Sequence, residues 1–114
     1  MTLSIDEKKA IIKYRIQKAW NSIQEADDNA RLGYWTLAAS RLYYAAYYMA
    51  SALLVDKGFI ARSHEDGRLI SRLFNMRQSG DYDDLFDWTE EEVQPFFNKT
   101  KDFLARMEKL ITLK

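Results

Sequence analysis

The stretch from Trp35 to Val55 restricts the fold more than any other part of the chain. It contains one charged residue, Arg41, and its apolar residues recur in steps of three and four, which is the spacing of an α-helix. Tyrosines and alanines cover most of the remaining helix surface, so few sides of it suit contact with water. We therefore predict a central or doubly packed helix over residues 34 to 57, ended by Gly58.

This apolar stretch does not predict a membrane protein. Its longest uncharged run, Leu42 to Val55, has 14 residues, which is too short to cross a bilayer as a helix. Charged residues begin at Asp6, so the start of the chain does not read as a signal peptide. The chain contains no cysteine, which fits a reducing compartment. We expect a soluble cytoplasmic protein without a membrane partner.

Capping signals predict a first helix over residues 4 to 32. Ser4 and Glu7 have the spacing of a capping box, and Gly33 stands where a helix would stop. Apolar residues at helical spacing lie between these two signals.

Two more helices follow Gly58. Ser63 can cap a third helix that breaks near Gly80, and Thr89 with Glu92 repeats the capping-box spacing before a fourth. Pro95 lies past the first turn of that fourth helix, so we predict a kink or a later helix start there.

Length and composition complete the prediction of the fold. The chain has 114 residues, of which 47% are hydrophobic, with four glycines and one proline. One compact core is expected at this length, and the shortage of turn residues disfavours an all-β fold. We predict an all-α protein in which residues 1–114 form a single domain, an antiparallel up-and-down four-helix bundle.

The charges balance over the chain but are unevenly placed. There are 17 basic and 17 acidic residues, and the segment from Asp81 to Glu92 contains seven acids and no base. Zero net charge removes the overall field that steers many nucleic-acid-binding proteins, so a polyanion would need a local patch. Four arginines precede the acidic segment, namely Arg62, Arg68, Arg72 and Arg77. Arg68 and Arg72 are possible ion-pair partners for it.

Four segments carry a family resemblance. They are SRLYYAAYYMASALLVDKGF, SHEDGRLISRLF, MRQSGDYDD and WTEEEVQPFFNKTKDFLARMEKLI. Together they resemble a small stand-alone HEPN (higher eukaryotes and prokaryotes nucleotide-binding) protein, and the resemblance covers about residues 5 to 112. It implies a four-helix up-and-down bundle and frequent homodimers.

The resemblance also implies two kinds of function. Many HEPN proteins are metal-independent endoribonucleases whose Arg-x4-6-His motif is paired across the dimer interface. Other members are inactive partners of small nucleotidyltransferases in toxin–antitoxin or defence modules. In the nuclease motif, arginine stabilises charge on phosphorus and histidine moves protons.

This chain departs from the nuclease motif at its second residue. Arg77 matches the arginine, but Tyr82 stands where a histidine is expected. A tyrosine with an ordinary pKa of roughly 10 is a poor base at neutral pH, although it can donate a hydrogen bond or stack on a nucleobase.

Two interpretations of the surrounding residues remain open. In one, a polar pocket for a phosphate or nucleotide is built from Arg41, Tyr44, Arg77, Asp81 and Tyr82. In the other, Arg77 and Arg41 only form ion pairs with Asp81 or Asp83. We expect Arg41 and Asp81 mainly to organise the site, and Arg77 and Tyr82 to touch a ligand.

His64 is the only histidine, so a metal site with several histidines cannot form within one chain. A histidine-based catalytic triad within one chain would likewise have no histidine other than His64. Its position after Ser63 indicates a helix start. It could replace the missing motif histidine only if the fold brought it near Arg77. We predict no metal and no cofactor.

The leading hypothesis is a homodimeric module that binds a nucleotide or RNA and acts beside a nucleotidyltransferase. The alternative is a toxin-type endoribonuclease in which Arg77 stabilises the phosphate and Tyr82 or His64 transfers the proton. A purely structural bundle is the third possibility. In each case the tyrosines of the second helix are expected in the core or at a dimer interface, and only secondarily as a stacking platform.

Overall fold

The computed structural model describes residues 2–58, 63–82 and 87–114. Its helices are α1 (Ile5–Arg31), α2 (Trp35–Lys57), α3 (His64–Tyr82), α4 (Glu90–Val93) and α5 (Pro95–Leu110). The short α4 leads directly into α5, so the two form the interrupted fourth arm of a four-helix bundle. The all-α prediction is confirmed, and the described residues contain no strand.

The predicted central position of α2 is confirmed. This helix packs against each of the other helices, and ten of its residues are buried. Neighbouring arms run in opposite directions: Arg15 early in α1 donates to the backbone oxygen of Ser51 late in α2, and Arg106 late in α5 pairs with Asp66 early in α3. The bundle is therefore up-and-down, as the short connections predict.

Glycines end α1 and α2 at the predicted places. Gly33 has a φ of 82°, and the N–H of Tyr34 donates to the carbonyl of Asn29 at 2.8 Å. Gly58 has a φ of 81° and donates its N–H to Leu54. Both glycines adopt the left-handed conformation that disfavours other residues and satisfies the last helical carbonyls.

The interruption at Pro95 also agrees with the sequence. Thr89 caps α4, where its N–H donates to Glu92 Oε1 at 3.1 Å. Gln94 separates α4 from α5 although its backbone angles are helical, and Pro95 occupies the first turn of α5, where its missing N–H costs no hydrogen bond.

The prediction that α3 breaks near Gly80 agrees to within two residues with its last residue, Tyr82, but Gly80 itself lies inside the helix. A Cβ on Gly80 would lie 2.7 Å from Thr36 Cγ2. Thr36 is held in place, since its Oγ1 accepts from the N–H of Trp88 at 2.9 Å and donates to Asp87 at 3.2 Å. Gly80 thus allows α3 to approach α2 closely and does not terminate the helix.

Two buried carboxylates join distant elements. Asp56 at the end of α2 accepts the N–H groups of Thr112 and Leu113. Burial raises the pKa of Asp56, but these two bonds together with the Lys57 charge outweigh it and leave that pKa below its ordinary value. Asp66 similarly joins the start of α3 to α5 through Arg106.

None of the described helices combines the length and apolar composition that a transmembrane segment needs.

Candidate functional site

The candidate site begins with an aromatic face on the outer side of α2. Rings lie 5.4 Å apart between Tyr43 and Tyr44, and 5.6 Å apart between Tyr47 and Tyr48. Phe74 of α3 extends the row, with its ring 5.7 Å from that of Tyr43. We call these five residues the aromatic face. Tyr47 is 52% exposed and Phe74 is 39% exposed, so this side of the central helix is open.

Two arginines flank one ring of the aromatic face. The guanidinium carbon of Arg41 lies 4.7 Å from the centre of the Tyr44 ring, and that of Arg77 lies 5.4 Å from the same centre. Arg77 also lies 5.8 Å from the Tyr43 ring. Cation–π attraction stabilises such contacts. The fold therefore brings together Arg41, Tyr44 and Arg77, although Arg77 is far from the other two in the sequence.

Asp81 joins this group through Arg77. Its Oδ2 lies 3.2 Å from Arg77 Nε, one helical turn away on α3, in agreement with one of the two predicted ion pairs. Arg77 also contacts Gln78 Oε1 at 3.5 Å. These contacts orient the guanidinium, while 20% of the Arg77 side chain remains accessible. Asp81 thus forms an ion pair with Arg77, and its role in organising a ligand site stays a prediction.

In one of the two open interpretations Arg41 pairs with Asp81 or Asp83, and the structure shows no Arg41–Asp81 ion pair. Arg41 lies 3.9 Å from Glu25 of α1, because its position on α2 directs it toward α1. The alternative partner, Asp83, lies outside the described residues.

Tyr82 is the last residue of α3, and its side chain lies outside the described part of the structure. A contact between Arg77 and Tyr82 therefore stays a prediction.

His64 does not reach Arg77 within one chain. It is the first residue of α3, as its place after Ser63 indicates. Arg77 stands thirteen positions later on the same helix, which corresponds to about 20 Å along the helix axis. The proposal that His64 supplies the proton beside Arg77 is wrong for a single chain, because a straight helix keeps the two ends apart.

Sequence reasoning missed the part that Tyr43 and Phe74 play beside Arg77. Tyr43 contacts both Arg77 and Phe74. The available signal was the position of Phe74 three residues before Arg77, which places both on neighbouring parts of one helix surface.

The arrangement suits recognition of an anion attached to a flat group. Guanidinium groups keep their charge at any physiological pH and donate several hydrogen bonds, and tyrosine rings provide stacking surfaces. The described residues contain no cluster of three or more histidine, cysteine, aspartate or glutamate side chains that could hold a metal ion.

Comparison with known proteins agrees with this architecture. Residues 12–69 match the family model described as HEPN domain. A UPF0332 protein of Thermotoga maritima is 33% identical, over 94% of this chain and 96% of that protein. A protein of Methanocaldococcus jannaschii named "putative toxin" is 25% identical, over 87% of this chain and 80% of its own length. The chain belongs to the HEPN domain family.

Proposed function

We propose that the protein is a homodimeric HEPN module that binds a nucleotide or RNA through Arg41, Tyr44 and Arg77. The observation that carries the proposal is the closeness of two guanidinium groups to the Tyr44 ring, at 4.7 Å for Arg41 and 5.4 Å for Arg77. Two fixed positive charges beside an aromatic ring match the phosphate and the base of a nucleotide.

The open aromatic face supports the homodimer. Tyr47 and Leu54 lie two turns apart on the same side of α2 and are 52% and 46% exposed. Exposed apolar and aromatic residues in one row are typical of an interface. Pairing two such faces would place two Arg77 side chains in one assembly.

The family and the relative named "putative toxin" support a proposal for the biological setting. We place the protein in a toxin–antitoxin or defence-like module, beside a nucleotidyltransferase partner and in the cytoplasm. Copurification with the product of a neighbouring nucleotidyltransferase gene tests this assignment, and the absence of such a gene and such a complex would contradict it.

Endoribonuclease activity is the second candidate, and it is favoured by the orientation of Arg77 through Asp81 at 3.2 Å. Arg77 would stabilise the charge on phosphorus. Within one chain Tyr82 is the candidate for the proton transfer, because His64 lies about 20 Å along α3 from Arg77.

One experiment separates the two candidates. A fluorescent single-stranded RNA is incubated with the protein in EDTA, and both binding and cleavage are measured. Binding without cleavage, weakened about tenfold in Arg77→Gln, supports the binding module. Cleavage that disappears in Arg77→Gln supports the endoribonuclease. If Arg77→Gln and the exposed control Lys13→Gln change binding equally and change cleavage equally, both candidates are contradicted.

A further inference from the structure

A second basic surface lies between α3 and α5. A cavity of about 990 Å³ is lined there by residues of both helices. Among the described residues that line it, the positively charged ones are Arg68 and Arg72 of α3 and Lys99 of α5, and Phe96 contributes an aromatic ring. We call these four residues the α3/α5 groove. The volume matches the size of cavities that hold small ligands.

The charges of the α3/α5 groove are not neutralised by ion pairs within the described residues. None of Arg68, Arg72 and Lys99 lies within salt-bridge distance of a carboxylate there. The neighbouring Arg106 differs, since it pairs with both Asp66 and Asp102. Glu65 is the one acid that lines the cavity in the described part of the chain, so positive charge dominates.

Two of these cations contact the same ring, that of Phe96. The guanidinium carbon of Arg72 lies 5.7 Å from the centre of the Phe96 ring, and Lys99 Nζ lies 5.4 Å from it. Like charges that share one ring repel each other. An anion placed between them would relieve that repulsion and gain charge-assisted hydrogen bonds.

We propose that the α3/α5 groove binds the phosphate groups of a nucleotide or of an RNA strand. Phosphate fits this set of donors because guanidinium groups pair with its oxygens in a fork geometry and lysine adds a compact charge. Phe96 supplies an apolar surface for the attached sugar or base.

This site is separate from the one flanked by Arg41 and Arg77. Arg68 and Arg77 are nine residues apart on α3, which places them on opposite sides of the helix and about 13 Å apart along its axis. The inference therefore goes beyond the proposed function, shares none of its residues and can be tested independently of it.

The test measures binding of ATP, adenosine and a short fluorescent oligouridylate by calorimetry and fluorescence anisotropy. The groove variant is Arg72→Gln with Lys99→Gln. Its matched control is Lys13→Gln with Lys109→Gln, which removes the same charge from two exposed residues outside the groove.

We expect the groove variant to weaken phosphate-dependent binding about tenfold and the control to change it less than about twofold. ATP binding with no adenosine binding identifies phosphate as the recognised group. If the groove variant weakens binding of the oligouridylate alone, the recognised phosphates belong to an RNA strand. The slope of log K against log salt concentration should then become shallower by about 0.7 for each phosphate that the variant no longer neutralises.

Two results would overturn the inference: neither phosphate-bearing probe binds at millimolar concentration, or the groove variant and its control weaken binding equally. Comparison with Arg77→Gln distinguishes this failure from failure of the proposed function. Weaker binding in the groove variant alone supports the α3/α5 groove and contradicts the Arg77 site, whereas weaker binding in Arg77→Gln alone does the reverse.

Discussion

The two sides of α3 hold their arginines in different ways. On the side toward α2, Arg77 is oriented by Asp81 at 3.2 Å and by the rings of Tyr43 and Tyr44. On the side toward α5, Arg72 contacts the Phe96 ring but has no ion pair among the described residues.

Protein contacts already orient the guanidinium group of Arg77, whereas Arg72 forms no ion pair among the described residues. Arg77 contributes to the fold through an acid and aromatic rings, so its removal should weaken both stability and binding. Arg72 lies near another cation, and its removal relieves repulsion while it removes one ring contact. The α5 side depends for its stability on Asp66 and Arg106, which lie beside the groove.

The largest expected effect on stability comes from replacing Asp66, which anchors α3 to α5 through Arg106. Asp66→Ala removes two hydrogen bonds with Arg106, at 2.7 and 3.0 Å, and the bond from the N–H of Ser63. We expect the free energy of unfolding to fall by about 2–3 kcal/mol, measured by urea denaturation. The control Asp102→Ala removes the exposed partner of Arg106 and should cost less than about 0.5 kcal/mol. Equal decreases would show that Asp66 is not the anchor.

A smaller effect is expected where the other side of α3 meets α2. Gly80→Ala places a Cβ 2.7 Å from Thr36 Cγ2. Because hydrogen bonds to Asp87 and Trp88 hold Thr36, we expect the free energy of unfolding to fall by about 1–3 kcal/mol in the same measurement. Ser79→Ala on the same turn should be nearly neutral. A stabilised Gly80→Ala would mean that the contact with Thr36 does not require a glycine and that the higher helix propensity of alanine dominates.

The direct comparison of the two sides uses one substitution on each. Arg77→Gln removes an ion pair and two ring contacts and should lower the free energy of unfolding by about 1 kcal/mol. Arg72→Gln, measured without ligand, should change it by less than about 0.5 kcal/mol. A larger decrease in Arg72→Gln than in Arg77→Gln would reverse the assignment of preorganised and unpaired charge.

The smallest effect is a dependence of stability on acid. The hydrogen bonds from Arg106 hold the pKa of Asp66 below its ordinary value. The folded state therefore gains stability above the unfolded pKa of about 3.9, and it loses that gain as the pH falls through the lower folded pKa. Unfolding measured from neutral to acidic pH should show a shallower decrease in stability below about pH 4 in Asp66→Asn. Identical slopes would exclude this contribution.

Local sequence signals predicted most of the fold. The structure contains the predicted capping box of Ser4 and Glu7, the helix ends at Gly33 and Gly58, and the start of a new helix at Pro95. Each signal depends on backbone contacts within a few residues, which the sequence reveals directly. Gly80 was misinterpreted because its role depends on Thr36, a residue of another helix.

The candidate site could be predicted in part. Arg41, Tyr44, Arg77 and Asp81 were selected from the sequence, and the fold brings these four side chains close to each other. The sequence did not indicate Glu25 as the partner of Arg41, because Glu25 reaches it across the contact between α1 and α2. The residue types indicate which ion pairs are possible. Which of several acids pairs with Arg41 depends on how the helices are rotated against one another.

The amino-acid sequence determined the all-α class, the helix ends, the central place of α2 and the resemblance to the HEPN family. These properties follow from periodicity, caps and residue types, which act over short distances. Only the tertiary structure decided that both Arg41 and Arg77 contact Tyr44, that His64 lies far from Arg77, and that cations from two helices line the α3/α5 groove. The physical reason is that helix packing fixes which side chains meet, and it depends on contacts between residues many turns apart.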